Sequence, residues 1–191
     1  MKALINVFIF VIMAASMLVL NAQKKDYSKE PGYIDYGDLS ALESEDTGTE
    51  VYLEEHLLKM VAKMASNEDQ NLSSLIGDLK LVRVNRFEID SKNEAKIKSK
   101  IATIEKELVS KNWDKIVRHK SKGESADIYI KTVNDSKVCG LVVMSYTGSK
   151  EAVFVNILGN IDMDKIGRLS EKFDIPGLGD TYKKPKEKTN K

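Results

Sequence analysis

The residues whose types could do chemistry are few, and their spacing is wrong for most of it. His56, His119, Cys139 and the pair Asp162-Met163-Asp164 are the groups able to hold a metal or activate a nucleophile. A zinc centre needs three or four His, Cys or carboxylate ligands, and neither H-E-x-x-H nor C-x-x-C occurs. His119 stands between Arg118 and Lys120, whose charge would repel a bound cation. The two aspartates fall short of the six to eight oxygens that calcium takes, and Asp162 is better placed to cap a helix.

No serine lies in G-x-S-x-G, and Ser110-Lys111 and Ser121-Lys122 read as helix-end and turn residues. Cys139 sits in the apolar run Val138-Cys139-Gly140-Leu141-Val142, where a free cysteine behaves as a small buried hydrophobe. Being the sole cysteine, it can form no internal disulfide. Gly177-Leu178-Gly179-Asp180 follows Pro176 and precedes no helix, so it lacks the context of a phosphate cradle. Met60, Met64, Met144 and Met163 could line a pliable cleft, with core filling as the competing role. No catalytic, cofactor-binding or metal residue is assigned, and the chain is expected to be neither an enzyme nor a cofactor carrier.

The elements that would position these groups follow from periodicity. Gly32 to Gly37 reads as a short strand, and Glu50-Val51-Tyr52-Leu53 as a second strand running into a helix over 54–65. That helix carries Leu57, Val61 and Met64 as its apolar stripe, widened by Leu58 and Ala65. A short helical turn over Leu72 to Ile76 leads into a strand over Leu79 to Ile89. Ser91-Lys92-Asn93-Glu94 has the form of a capping box, and Ile97, Ile101, Ile104 and Leu108 follow at helical spacing.

From Trp113 onward the period becomes two. Strands over Trp113–His119, Asp127–Val133, Val138–Tyr146 and Ala152–Leu158 are joined by short turn sequences, which force antiparallel neighbours. Ile128, Ile130, Val153, Val155 and Ile157 are expected on the buried face. A final helix is expected from Asp162, with Met163, Ile166, Leu169 and Phe173 toward the sheet, ending at Pro176-Gly177. The fold class expected is two-layer α+β. It has an antiparallel sheet, a four-stranded C-terminal meander plus N-terminal strands, with its amphipathic helices on one face.

The N-terminus carries an address. Lys2 precedes the apolar run Ala3 to Leu20, and Ala22 closes the segment, the build of a secretory signal peptide covering residues 1–22. An uncleaved anchor is the competing reading, since the run approaches the roughly 20 residues that span a bilayer. No cysteine lies near the cut, which excludes a lipoprotein. Residues 23–31 are expected to be a flexible lead-in, 32–180 one domain, and 181–191 a disordered lysine-rich tail. Removing Lys2 from the 30 Lys plus Arg balances the 29 Asp plus Glu. Such a neutral chain is a poor nucleic-acid binder, because that affinity rests on phosphate neutralisation.

Taken together, the leader, Pro31-Gly32-Tyr33-Ile34-Asp35-Tyr36-Gly37, Val51-Tyr52-Leu53 with Leu57-Leu58, the Leu79 to Phe87 strand and Val155-Asn156-Ile157-Leu158-Gly159-Asn160-Ile161-Asp162 resemble the domain of unknown function 4252. The resemblance implies a small exported Bacteroidetes envelope protein with no catalytic residues to carry over. The expectation is a non-catalytic periplasmic binding or accessory protein, whose partner is an apolar small ligand or another envelope protein. It has no membrane span after processing. The alternatives are an envelope hydrolase built from carboxylates, or a structural or signalling module that pairs through its sheet.

Overall fold

The computed structural model of the chain describes residues 25–43, 48–67, 69–134, 137–148 and 150–162. Within them the fold is α+β. Strand β1 (Gly48–Glu54) turns directly into helix α1 (Glu55–Ala65), and helix α2 (Gln70–Gly77) leads back into β2 (Leu79–Glu88). Helix α3 (Glu94–Ser110) then precedes β3 (Asp114–Ser121), β4 (Glu124–Val133), β5 (Lys137–Thr147) and β6 (Glu151–Ile161). The six strands form one antiparallel sheet in the order β1-β2-β6-β5-β4-β3. The C-terminal meander is therefore present, and β2 closes onto its last strand.

Local chemistry explains the boundaries. Asp69 caps α2 by accepting the N–H groups of Asn71 at 2.9 Å and Leu72 at 3.0 Å. The hairpin from β3 to β4 turns on Lys122 and Gly123, both with positive φ, as a two-residue primed turn requires. The capping box expected at Ser91 is not what starts α3. Asp90 instead accepts from the N–H groups of Lys92 and Asn93, while the Asn93 side chain accepts from the Asp90 N–H. The same reciprocal logic operates one residue earlier, because Asn93 also ties the turn to the carbonyls of Leu42 and Glu88.

The helices lie on both faces of the sheet, not on one. Ile97, Ile104 and Leu108 of α3 pack with Tyr129, Val142, Met144, Ala152 and Phe154. Leu58 of α1 packs with the alternate residues of the same strands, among them Ile128 and Leu141. The α3 face holds the deeper core, with Tyr129, Val142, Ala152 and Phe154 fully buried. Of the five residues expected on the buried face, Ile128 is buried, and Ile130, Val153, Val155 and Ile157 are half-buried. The stripe of α1 is rotated to match: Leu58 and Ala62 face inward, while Val61 is 39% and Met64 77% exposed.

Beside α3 the deeper face is covered by an irregular arm, where the short strand at Gly32 to Gly37 was expected. Asn156, fully buried on β6, holds it by accepting the Ile34 N–H at 3.2 Å and donating to the Gly32 carbonyl at 3.1 Å. The chain can approach this closely because both crossing residues are glycines: a Cβ on Gly140 would stand 2.5 Å from the Gly32 Cα. Tyr27, in the stretch expected to be a flexible lead-in, is buried and donates its hydroxyl to the Lys80 carbonyl at 3.0 Å. The helix expected after Asp162, with Met163, Ile166, Leu169 and Phe173, lies outside the described residues.

Candidate functional site

The groups singled out by type do not converge. His56 is exposed on α1, which covers the β1–β2 side, and His119 is exposed on β3 at the opposite edge of the sheet. Cys139 is half-buried on β5; its thiol donates to the Lys131 carbonyl at 3.4 Å, and burial pushes its pKa up, away from thiolate chemistry. Met144 is buried on the α3 face while Met60 and Met64 are exposed, so they line no common cleft. Among the described residues no cluster of three or more His, Cys, Asp or Glu could hold a metal. Of the Asp162 pair, Met163 and Asp164 lie outside those residues, as does Gly177-Leu178-Gly179-Asp180.

Ionisable groups do gather in two places. The first lies between α3, β3 and β4. Lys115 Nζ is 2.6 Å from Glu105 Oε1 and 3.3 Å from Asp127 Oδ1, and Arg118 joins the same two carboxylates at 2.5 and 2.9 Å. The Tyr129 hydroxyl donates to Glu105 at 3.1 Å. The Lys115 hydrogen bond, with that of Tyr129, outweighs burial and holds the Glu105 carboxyl below its ordinary range. Burial pulls Lys115 down, yet its bonds to Glu105, Tyr129 and Asp127 raise it overall. Two carboxylates here meet two cations. Glu105, held ionised by them, is not placed to exchange a proton near neutral pH, which general acid–base work requires.

The second gathering is more loosely paired. A cleft of about 380 Å³ opens where the arm passes the start of β1, lined by Asp38, Glu43, Glu50, Arg83, Asn85 and Phe87 among others. Arg83, Asn85 and Phe87 alternate along β2 and so share one face. The Arg83 guanidinium lies 5.3 Å over the Tyr36 ring, an arrangement that orients the fork. Its Nε stands 3.6 Å from Glu50 Oε1, near enough for attraction and too far for a hydrogen bond. Arg83 Nε and the Asn85 side-chain oxygen are two of the three buried side-chain polar atoms that lack a partner among the described residues, the third being Trp113 Nε1. Asn85 is only 5% exposed. Asp38 accepts the Ser40 N–H, which lowers its pKa.

An unsatisfied buried donor or acceptor costs about 1–3 kcal/mol, and the two residues that carry these atoms both line the one cleft. Sequence reasoning passed over both residues. A signal was there: in Leu81-Val82-Arg83-Val84-Asn85-Arg86-Phe87, Arg83 and Asn85 share a strand face with Leu81 and Phe87, which are core residues.

Among the described residues no helix is long and apolar enough to cross a membrane. Searches of the curated proteins and of the solved structures find no match. The family described as "Domain of unknown function (DUF4252)" matches residues 42–169, which include the β1 and β2 walls of the cleft. The match spans well over half of the 191 residues, and the chain belongs to the DUF4252 family.

Proposed function

We propose that this chain is a non-catalytic binding protein, exported to the periplasm by its N-terminal leader, that takes a small polar ligand in the cleft beside Arg83 and Asn85. One observation carries the reading: Arg83 and Asn85, each with a buried side-chain polar atom that has no hydrogen-bond partner among the described residues, line the same cavity. Structural polar groups are normally satisfied, as Asn156 is. Groups kept unsatisfied at a cleft fit the few placed polar contacts by which ligand sites set orientation. In this reading the ligand is polar, where the sequence suggested an apolar one.

Catalysis finds less support. A hydrolase working through carboxylates needs one carboxyl raised toward neutrality, whereas Glu105 and Asp38 are both lowered. The reading is tested by thermal unfolding of the purified mature chain with a small-molecule extract of the periplasm. Binding to the native state raises the midpoint; no change with any fraction contradicts it. Cell fractionation checks location, and mature chain in the cytoplasm would remove the periplasmic part of the proposal.

A second reading rests on exposed apolar side chains: Val51, Met60, Val61 and Met64 on β1 and α1 suit contact with a protein partner. Crosslinking from an α1 position in intact cells should then recover one reproducible protein.

A further inference from the structure

Helix α1 turns an apolar side chain to solvent at the position where a helix that merely covers a sheet would carry a charge. At 3.6 residues per turn, Met60 falls opposite the buried pair Leu58 and Ala62. The outward side of such a helix is ordinarily charged or polar, as on α3, where Lys96, Ser99, Thr103 and Lys106 are exposed. On α1, Met60 is 59% exposed, and Met64 and Val61 extend the strip. Lys59 and Lys63, one turn apart, run with His56 along one border of it. The only acid in the helix, Glu55, is held by Lys25 and Lys59, each at 2.8 Å.

Two observations favour a lipid surface over a protein as the occupant of this face. The first is charge. Lysine stems lie along apolar surface while their ammonium groups reach outward, so a methionine strip with a basic border matches acyl chains capped by phosphate. The second is position. Lys25 grips the start of α1, and the apolar run read as a leader ends at Leu20, five residues earlier. Five extended residues span at most about 17 Å. While the leader occupies the bilayer, the start of α1 is therefore kept close to the headgroups.

We propose that Met60, Val61 and Met64, bordered by Lys59 and Lys63, dock the mature domain on an anionic phospholipid surface of the envelope. The apolar side chains enter the boundary between headgroups and acyl chains, and the lysines meet lipid phosphates. The contact lies on the opposite face of the sheet from the cleft at Arg83 and Asn85, so the two sites are independent.

The test is flotation of the mature chain with vesicles of phosphatidylcholine, alone or mixed with an equal part of phosphatidylglycerol. Binding to the anionic vesicles should be at least tenfold stronger. It should fall tenfold or more in the double variant Met60→Ser, Met64→Ser and about fivefold in Lys63→Gln, and circular dichroism checks that each variant keeps the parental fold. Both variants retain the lysines between Lys183 and Lys191, so parental binding by the double variant would assign the contact to that tail and overturn the proposal. A fluorophore on Met60→Cys, in a Cys139→Ala background, should shift to the blue on anionic vesicles. One on His119→Cys, at the opposite edge of the sheet, should not. Equal shifts at both positions, or at neither, contradict docking through α1, and equal binding to both vesicle types contradicts the anionic surface. Absence of vesicle binding overturns the proposal outright; a single reproducible protein crosslinked from α1 would then give this face to a protein partner.

Discussion

Asn156 and Asn85 stand on neighbouring strands and point into the same face of the sheet, with Arg83 opposite Asn156 and Asn85 opposite Phe154 in the ladder. Asn156 is fully buried and uses both ends of its amide to clamp the arm, bonding the Ile34 N–H and the Gly32 carbonyl. Asn85 is nearly as buried, and its oxygen bonds nothing. Burial alone therefore does not tell a structural polar residue from a functional one. The difference lies in whether the fold itself completes the hydrogen bonds.

The sharpest way to break this contrast is at Asn156. Asn156→Leu leaves the Ile34 N–H and the Gly32 carbonyl buried without partners, and should cost about 3 kcal/mol in urea unfolding. A loss below about 0.5 kcal/mol would mean that the arm is held by its apolar contacts alone.

A smaller effect is expected in the paired cluster. The folded state lowers the pKa of Glu105 below its ordinary 4.5, so the native protein binds fewer protons than the unfolded chain as pH falls. Its contribution is present in full above about pH 4.5 and is lost as pH drops through the folded value. Glu105→Gln should cost about 1 kcal/mol at pH 7 and should flatten the acid limb of the stability profile. An unchanged acid limb would place the acid sensitivity elsewhere.

The two asparagines also show what a one-dimensional reading can and cannot find. Strands β3 to β6 were legible because alternation is interrupted by turn chemistry at Lys122-Gly123, Asn134 and Gly148, and α3 because Ile97, Ile104 and Leu108 keep one stripe. The buried face was not legible. Both faces of β6 carry apolar side chains, and Asn156 marks as polar the very face that is buried. Its purpose depends on a segment 122 residues earlier in the chain, and no local period encodes that contact. The cleft was hidden for the same reason: residues near 38, 50 and 83 meet only after the arm has crossed the sheet. The stripe of α1 was misplaced by one position because Leu57-Leu58 and Val61-Ala62 offer two nearly equivalent faces.

The account stands or falls on the smallest effect of the series, the stability change on replacing Asn85. Asn85→Leu removes a side-chain oxygen that the described fold leaves unbonded, so urea unfolding should show a free energy within about 0.5 kcal/mol of the parent or a gain of up to about 1 kcal/mol. A loss of 2 kcal/mol or more would show that Asn85 supports the fold as Asn156 does, and would contradict the claim that its hydrogen bond is held open for a ligand.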